Sequence, residues 1–306
     1  MSTLLLSHPA CLQHLTPSGH PERPDRLRAI EQALEDEKFQ TLAREQAPLG
    51  EAEIIALCHP MDYVEAIRNA SPSEGMVRLD ADTSMSPGTF EAALRAVGGG
   101  VKAVDEVMSG AINNAFVAVR PPGHHAEPAR AMGFCFFNNV AVAARHALEV
   151  HGLERVAIID FDVHHGNGTE AAFAGDSRVL MCSFFQHPFY PYSGADNPAP
   201  NMVNLPIAAR TKGMEVREAI DIMWLPRLHE FKPEMVFVSA GFDAHREDDL
   251  GNLGLVEDDF AWITEQIREV ARRHAKGRIV SCLEGGYNLS ALGRSVVAHL
   301  RVLADI

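Results

Sequence analysis

The sequence lacks the features of several protein classes: a cysteine framework, a long apolar run and an excess of positive charge. Its five cysteines are scattered among 306 residues and include no CxxC pair, which favours free thiols in a reducing compartment over a disulfide scaffold or a cysteine metal site. No segment approaches the roughly 20 apolar residues of a membrane-spanning helix. A formal net charge of −14 disfavours binding to nucleic-acid phosphates and is compatible with cationic substrates. We therefore expect a cytoplasmic protein with no membrane or nucleic-acid partner.

Apolar runs alternate with segments of helical periodicity, which is typical of a parallel sheet with crossover helices. The hydrophobic content of 46% allows a large core, and no linker or repeat divides the chain, so we expect a single domain over residues 1–306. The predicted strands are residues 4–6, 116–119, 156–159, 179–182, 236–238 and 279–283. The predicted helices include residues 91–108, 140–151, 214–231 and 258–274. The three glycines at 98–100 are expected to allow close helix packing rather than phosphate binding.

The segment DFDVHHGNGT indicates a metal site. Asp160, Asp162 and His164 occupy alternate positions after an apolar stretch, and alternate residues of an extended segment share one face. Carboxylates and imidazoles bind divalent cations such as zinc, and a catalytic site needs a third protein ligand. Asp243 is the best candidate because it also follows an apolar run, and ligands collect at the carboxyl ends of parallel strands. The alternative is that the two aspartates cap a helix beginning near Gly166.

Two further segments follow predicted strands. The prolines and glycine of RPPGHHAE force a loop that leaves His124 and His125 at the end of a strand, where paired imidazoles can act as general base and general acid. A purely surface role is the alternative. In LEGGYN, the glycines permit close approach to a ligand, and Tyr287 has a phenol that can donate to a developing oxyanion. A turn beside a core aromatic is the other interpretation of this triplet.

Six ordered segments resemble the zinc-dependent histone deacetylase family, in particular its class II and bacterial deacetylase-like branch. They are HPERPDRL, RPPGHHAE, GFCFFNN, DFDVHHGNGT, SAGFDAH and LEGGYN. The resemblance extends from Gly19 to about Asn288. It implies an α/β fold of the arginase/deacetylase type, with three layers and a central, mainly parallel, eight-stranded sheet. The implied activity is hydrolysis of acetyl groups from lysine side chains of proteins or peptides, with release of acetate.

The resemblance also implies roles for individual residues. The ligands of Zn²⁺, with Fe²⁺ as the other possible metal, would be Asp162, His164 and Asp243. His125 would be the general base, His124 would give electrostatic support, and Tyr287 would donate to the oxyanion. Asp160 would accept a hydrogen bond from His124. Asn167 replaces the aspartate that class I members place behind the other histidine, which should make His125 a weaker base.

A structural K⁺ site and a set of substrate contacts complete the implied site. The residues of the K⁺ site would be Asp160, Asp162, His164, Ser183 and Phe184. The residues implied in substrate binding are Asp82, Gly133, Phe134, Tyr190, Leu250 and Gly286. Phe134 and Tyr190 would form the walls of a narrow channel, although core packing is the default for either aromatic alone. Leu250 replaces a glutamate of acetylpolyamine-selective relatives and favours a lysine-type amide. Asp82 would bind the substrate backbone at the rim or remain a solvated turn residue.

Other interpretations stay open from the sequence. The site would also suit an amidohydrolase for acetylpolyamines or other small acetylated amines. A module that binds acyl-lysine without cleaving it is disfavoured by Tyr287 and the histidine pair, and a ureohydrolase with two manganese ions fits the PPGHHA loop poorly. Outside the site, Glu22 and Arg23 are expected to form structural ion pairs. The histidines outside every motif are expected at the surface or in helices, and these include His59, His146, His229 and His299.

Overall fold

An eight-stranded sheet forms the centre of the structure, a computed structural model that describes residues 2–306. Its strands are β1 (Thr3–Ser7), β2 (Ala43–Gln46), β5 (Asn114–Val117), β6 (Val156–Asp160), β7 (Val179–Gln186), β8 (Met202–Ile207), β9 (Met235–Ala240) and β10 (Ile279–Leu283). The strand order is β2-β1-β5-β10-β9-β6-β7-β8, and within the described residues every pairing in it is parallel. A separate antiparallel pair consists of β3 (Val77–Arg78) and β4 (Ser84–Met85). The predicted α/β fold with an eight-stranded sheet is confirmed.

Helices cover both faces of the sheet. They are α1 (Asp25–Ala33), α2 (Ala52–Ile55), α3 (Met61–Ala70), α4 (Thr89–Ser109), α5 (Asn139–Glu149), α6 (Asn167–Phe173), α7 (Gly213–Phe231), α8 (Glu257–His274) and α9 (Leu289–Ala304). Successive residues of a strand point to opposite faces. In β10, Ser281 is hydrogen-bonded to His299 of α9, whereas Cys282 lies near Gly100 of α4. Helices α4 and α9 therefore lie on opposite sides, which gives three layers.

The central strands are buried on both faces, which explains why the sequence predicts them. All residues of β5, β6, β7, β9 and β10 are buried, as expected for parallel strands between helical layers. The six predicted strands and four predicted helices are present with bounds shifted by up to four residues. The edge strands β2 and β8 were not predicted. Strand β2 is exposed along its whole length, so it has no apolar run.

The glycines at 98–100 lie within α4, where close helix packing requires them. A Cβ atom on Gly98 would lie 2.1 Å from the carbonyl oxygen of Pro48, and one on Gly99 would lie 2.8 Å from a side-chain carbon of Val117. The packing role predicted for this run is therefore what the structure shows. Among the described residues, no helix combines the length and apolar character required to cross a membrane.

Candidate active site

The residues predicted to carry chemistry come together at one edge of the sheet. Strands β5, β10, β9 and β6 are neighbours in its middle, and the carboxyl ends of parallel strands lie at the same edge. The loop after β5 carries His124 and His125, and β6 ends at Asp160. Asp243 follows β9 and Tyr287 follows β10. Segments that are far apart in the chain therefore share one buried centre.

Asp162, His164 and Asp243 form a group with the spacing of metal ligands. Nδ1 of His164 lies 3.0 Å from Oδ1 of Asp162 and 3.1 Å from Oδ2 of Asp243, and the three ligand atoms lie within 4.8 Å of one another. Ligand atoms at about 2.0–2.1 Å from a tetrahedral ion are separated by about 3.3 Å. The three side chains fit one divalent ion with little movement.

The local backbone differs from the prediction of an extended segment. Strand β6 ends at Asp160, and Asp162 and His164 lie in the loop that follows it. The N–H of Asp162 donates to Oδ1 of Asp160, and the N–H of His164 donates to Oδ1 of Asp162. Such side-chain acceptors compete with ladder pairing, and they bend the chain here. The alternative helix-capping interpretation is wrong, because α6 has Gly166 as its N-cap and no side-chain cap.

Two glycines allow the carboxylates of Asp162 and Asp243 to approach the neighbouring loops. A Cβ atom on Gly241 would lie 2.1 Å from Oδ2 of Asp162, and one on Gly285 would lie 2.2 Å from Oδ2 of Asp243. The N–H of Gly285 donates to Oδ2 of Asp162, and that of Val163 donates to Oδ1 of Asp243. Both carboxylates are thus fixed by backbone donors, and any larger residue at either glycine would displace them.

Several titratable groups in the centre have shifted pKa values. Burial raises the pKa of Asp243 to about 7, and the nearby charge of Asp162 adds to the rise. Burial likewise raises the pKa of Glu284 to about 7, against the opposing effect of His124. For His164, burial would lower the pKa, but hydrogen bonds with Asp162 and Asp243 raise it to about 10. Burial disfavours the ionised form of these two carboxyls, and a bound cation would stabilise that form.

The tandem histidines have different partners and opposite electrostatics. Nδ1 of His124 lies 3.0 Å from Oδ2 of Asp160, and Nδ1 of His125 lies 2.8 Å from Oδ1 of Asn167. Burial alone would lower the pKa of His124, but Asp162 and Asp160 raise it well above the usual value. Burial and the charge of His124 lower the pKa of His125 well below its usual value. The surroundings therefore favour the charged form of His124 and the neutral form of His125.

Asn167 also determines which nitrogen of His125 carries the proton. Its amide Nδ2 donates to Oε1 of Glu127 at 2.9 Å, so its Oδ1 is the atom that faces His125. An amide oxygen only accepts, and Nδ1 of His125 must therefore be protonated. The neutral ring then has Nε2 as its free acceptor.

Aromatic side chains surround the approach to this centre. The ring of Phe134 lies 5.8 Å from that of Tyr287, and the ring of Tyr190 lies 5.3 Å from that of His125. Gly133, at φ +56°, allows the turn, because a Cβ there would lie 2.5 Å from the His125 ring. Phe189, which the sequence analysis did not single out, stacks on His164 at 5.4 Å. Aromatic walls therefore line the approach from several sides.

The other predicted substrate contacts lie nearby, but their surroundings differ. The backbone carbonyl of Asp82 accepts a hydrogen bond from Nε2 of His20, and the His20 ring packs on Phe134 at 4.7 Å. The carboxylate of Asp82 accepts a hydrogen bond from the hydroxyl of Thr83. Leu250 is partly exposed. Asp82 is thus held near Phe134 through His20, and its side chain is hydrogen-bonded to the neighbouring Thr83.

Asp248 is a supporting residue that the sequence analysis missed. Its carboxylate accepts hydrogen bonds from the N–H groups of Tyr287 and Asn288 through one oxygen and from that of Leu250 through the other. This places Leu250 next to the loop of Tyr287. The segment REDDLG contains two adjacent aspartates, and the sequence does not indicate that Asp248 is the one with a supporting role.

A buried arginine also holds the loop of Tyr287. The guanidinium of Arg26 lies 4.8 Å from the centre of the Tyr287 ring, and it donates to the carbonyl oxygens of Gly286 and Glu284. Gly286 has φ +115°, which favours glycine. Arg26 was missed as a functional residue, although HPERPDRL contains it. The sequence feature that could have identified it is an arginine on the buried face of a short amphipathic helix.

The ion pairs predicted for this segment are present but differently arranged. Glu22 is fully buried and pairs with Arg120 and Arg26. Arg23 is half-exposed and pairs with Asp25. Only Glu22 therefore joins the buried network behind the site. Sequence alone does not show which face of the segment is buried, so it does not distinguish Glu22 from Arg23.

Glu284 links the two central loops and was also missed. Its Oε2 accepts hydrogen bonds from the N–H groups of Gly123 and His124, and its Oε1 accepts one from the hydroxyl of Ser239. A glutamate at the end of an apolar strand is the signal that could have identified it, since such residues are rarely buried without partners.

The residues of the predicted K⁺ site are adjacent. Asp160 of β6 is in register with Ser183 of β7, and both are fully buried. The hydroxyl of Ser183 lies 3.5 Å from the carbonyl oxygen of Phe184. Asp162 and His164 follow in the same loop. The group thus contains a carboxylate, a hydroxyl and several carbonyls, which are ligands for a hard cation.

The prediction for the histidines outside the motifs is wrong for His59, which is buried in a loop. His146 and His299 lie in helices as expected, but they are buried as well. His229 is a partly exposed helix residue. Each buried ring has a polar partner, for example Thr264 for His299. Because these partners are distant in the chain, the burial of the histidines could not be predicted from the sequence.

Comparisons with known proteins identify the family and agree with the fold. A family model described as the histone deacetylase domain matches residues 20–303. The uncharacterized protein slr0245 of Synechocystis sp. is 39% identical over 95% of this chain and 96% of its own length. The histone deacetylase-like amidohydrolase of Pseudomonas aeruginosa is 37% identical over 89% of this chain and 73% of its own length. The crystal structure of the HDA15 HD domain superposes with a TM-score of 0.93 at 32% identity, covering 100% of this chain and 90% of that one. The chain belongs to the histone deacetylase family and is a hydrolytic deacetylase.

Proposed function

We propose that this deacetylase removes acetyl groups from lysine side chains of proteins or peptides, with residues 1–306 acting as one catalytic domain. The observation that carries the proposal is the position of His125 and Tyr287 around the ligand group at the end of an aromatic channel. A free carboxylate and an amine would be the products.

Asp162, His164 and Asp243 would hold the metal, for which we propose Zn²⁺, with Fe²⁺ as the alternative. When bound there, the ion would polarise the acyl carbonyl and lower the pKa of water from about 16 to about 7. Two carboxylates and one imidazole are ordinary ligands for this chemistry.

His125 would move the proton. Its low pKa keeps it neutral, and its Nδ1–H is held by Asn167, so Nε2 is available to take a proton from the attacking water. The same nitrogen would return the proton to the amine as the C–N bond breaks. His124, which favours the charged form beside Asp160, would add positive potential without transferring a proton.

Tyr287 would stabilise the developing negative charge on the acyl oxygen. Its ring is held between Arg26 and Phe134, and its pKa lies well above the usual value because of burial. The phenol is therefore protonated and can donate a hydrogen bond to an oxyanion. Arg26 orients this ring and the backbone on either side of Gly286.

The channel favours an unbranched chain between the acyl group and the rest of the substrate. Phe134 and Tyr190 present aromatic surfaces, which suit the methylene groups of a lysine side chain. Leu250 offers no charge for a second ammonium. Asp82 beside the channel would accept a hydrogen bond from the peptide backbone of the substrate.

A second candidate substrate class is the acetylpolyamines or other small acetylated amines. Burial raises the pKa of Tyr190, and the charges of Asp82 and Asp80 add to this rise while Arg130 opposes it, so the carboxylates near this ring support the second class. An amine carrying a second positive charge would be attracted there.

We propose a structural role for K⁺ next to the centre. It would be bound by Asp160, the hydroxyl of Ser183, and the carbonyl oxygens of Asp162, His164 and Phe184. Such an ion would hold the end of β6 against β7 and keep the following loop in position.

The test is a panel of acetyl-lysine peptides, longer acyl-lysine peptides and acetylpolyamines assayed with wild-type protein and Tyr287→Phe. We expect turnover of the acetyl-lysine peptides, and a fall in kcat of about 10²–10³ for Tyr287→Phe, because one oxyanion donor is lost. Metal content, measured by mass spectrometry, should be unchanged. Equal turnover by the variant with its metal retained would contradict the assignment of Tyr287. Preferential turnover of acetylpolyamines would favour the second substrate class.

A further inference from the structure

A second group of metal-ligating side chains lies outside the active site. It consists of Asp105 of α4, His146 of α5, and His151 in the turn after α5. Helices α4 and α5 lead into the amino ends of β5 and β6, whereas the active site lies at their carboxyl ends. The two groups are therefore separated by at least the length of these strands, roughly 15 Å for five residues. This group takes no part in the chemistry proposed above.

Both imidazoles face the same carboxylate. Nε2 of His146 and Nε2 of His151 each lie 2.7 Å from Oδ1 of Asp105, and the three ligand atoms lie within 4.8 Å of one another. Widening each contact to about 3.3 Å would give the separation of ligands around a tetrahedral zinc ion. The movement is small, and the partly exposed Asp105 and His151 are free to make it.

The end of α5 fixes the relative position of the two histidines. The N–H groups of Val150 and His151 both donate to the carbonyl oxygen of His146, at 2.9 and 3.4 Å. Gly152 follows with φ +69°, the left-handed conformation that ends many helices. Helix α4 packs along α5 and brings Asp105 to this turn. The backbone positions of the two histidines are thus determined by the end of α5, and small side-chain movements can adjust the distances between the ligand atoms.

The electrostatic surroundings favour a cation. The last turn of a helix carries partial negative charge on its free carbonyls, and His146 and His151 lie at that end of α5. The nearby ammonium of Lys102 pairs with Glu45 at 2.9 Å and Glu106 at 3.2 Å, so it does not compete for Asp105. Burial alone would raise the pKa of Asp105, but the hydrogen bonds with the two histidines lower it, and the carboxylate is ionised at neutral pH.

The group is accessible from solvent. The exposed fractions of the side chains are 52% for Asp105, 24% for His151 and 6% for His146. Asp105 and His146 also line a cavity of about 440 Å³ beside Lys102 and Glu45. Water can therefore complete the coordination of an ion bound by three protein ligands.

We propose that Asp105, His146 and His151 bind a second divalent transition-metal ion, with Zn²⁺ as the best match. Two imidazoles and one carboxylate suit zinc and its neighbours, and they suit Mg²⁺ and Ca²⁺ poorly because those ions prefer oxygen ligands. The ion joins α4 to the end of α5 at the edge of the sheet opposite the active site.

The test is the number of zinc ions per chain in the full-length protein, counted by mass spectrometry after zinc loading and dialysis. We expect two ions in wild type and one in Asp105→Asn and in His151→Asn, with deacetylase turnover equal to wild type in both variants. These residues are partly exposed, so the variants should fold, and circular dichroism checks this. Asp243→Asn should also retain one ion, because only the active-site ion is lost.

A matched control is His274→Asn, which removes a histidine from the last turn of another helix. His274 pairs with His229 at 3.0 Å and is absent from the two ligand groups, so this variant should retain two ions. The proposal is overturned if wild type and Asp105→Asn hold the same number of ions. If the active site held no metal, wild type would hold one zinc ion and Asp105→Asn none. The experiment therefore distinguishes failure of the proposed active-site metal from failure of the second site.

Discussion

Two groups of carboxylates and histidines in this protein have similar composition and opposite surroundings. The side chains of Asp162, His164 and Asp243 are 1%, 12% and 0% exposed, whereas Asp105 is 52% exposed. The first group lies at the carboxyl edge of the sheet and the second at the ends of two helices. Both groups combine carboxylates with imidazoles, so we attribute the differences in their properties to burial and exposure rather than to the residue types.

The pKa shifts of the aspartates show this difference. Asp243 has a raised pKa because it is buried and lies next to the carboxylate of Asp162. For Asp105 burial also acts to raise the pKa, but the hydrogen bonds of His146 and His151 outweigh it and lower the pKa. In a buried centre, the surroundings disfavour ionised carboxylates, and a bound ion would stabilise them. At the surface, water already stabilises the charge, so an ion adds less.

The largest effect is expected from removing a ligand of the buried group. In Asp243→Asn the amide oxygen can still accept from the N–H of Val163, so the fold should persist while the ligand oxygen is replaced by an amide nitrogen. We expect turnover to fall by about 10³ or more, since a metal Lewis acid contributes several kcal/mol. Turnover and zinc content should fall together. Wild-type turnover in this variant would show that Asp243 is not a ligand.

A buried histidine outside both groups tests the effect of burial alone. Nδ1 of His59 donates to the carbonyl oxygen of Pro128, its Nε2 accepts from the N–H of Asn138, and burial lowers its pKa to about 4. The unfolded chain, with a pKa of about 6.5, binds a proton first as the pH falls. Stability is therefore complete above pH 6.5 and declines towards pH 4, by about 3 kcal/mol from this residue.

In His59→Gln the amide can donate and accept at the same places without titrating. We expect the free energy of unfolding, measured by urea denaturation, to depend less steeply on pH between 6.5 and 4 than in wild type. The control is His187→Gln at an exposed position, which should leave the slope nearly unchanged. An identical slope in wild type and His59→Gln would contradict the prediction.

A smaller effect is expected from placing a charge beside the channel. Leu250→Glu adds a carboxylate next to the loop of Tyr287, where Asp248 already holds the backbone. The ratio of kcat/KM for acetylpolyamines to that for acetyl-lysine peptides should rise about fivefold, which corresponds to about 1 kcal/mol for a partly exposed ion pair. Leu250→Gln, which has a similar size and no charge, should leave the ratio close to that of wild type.

The smallest effect is expected at the exposed group in metal-free protein. With the chelated protein, His151→Asn should change the free energy of unfolding by less than about 1 kcal/mol, because a partly exposed histidine–aspartate contact contributes little. Urea denaturation measures this change. A much larger loss would show that the contact stabilises α4 and α5 without any ion, and would weaken the contrast between the two groups.

Much of the fold was predictable because the central strands are buried on both faces. Continuous apolar runs such as Ile279–Leu283 follow from that burial, and the segments after them carry the polar residues of the site. The exposed edge strand Ala43–Gln46 has no such pattern. Its strand conformation depends on pairing with Thr3–Ser7, which lies far away in the sequence.

The sequence by itself determined which residue types follow which strands, and hence that Asp160, Asp162, His164 and Asp243 belong to one edge of a parallel sheet. Only the tertiary structure decided how they meet. The backbone donor to the carboxylate of Asp162 and the burial of Arg26 and Glu284 depend on contacts between distant segments. The second group, with Asp105 on one helix and two histidines at the end of another, was invisible for the same reason. Local sequence determines periodicity and turns, whereas distances between side chains are determined by how the helices and strands pack.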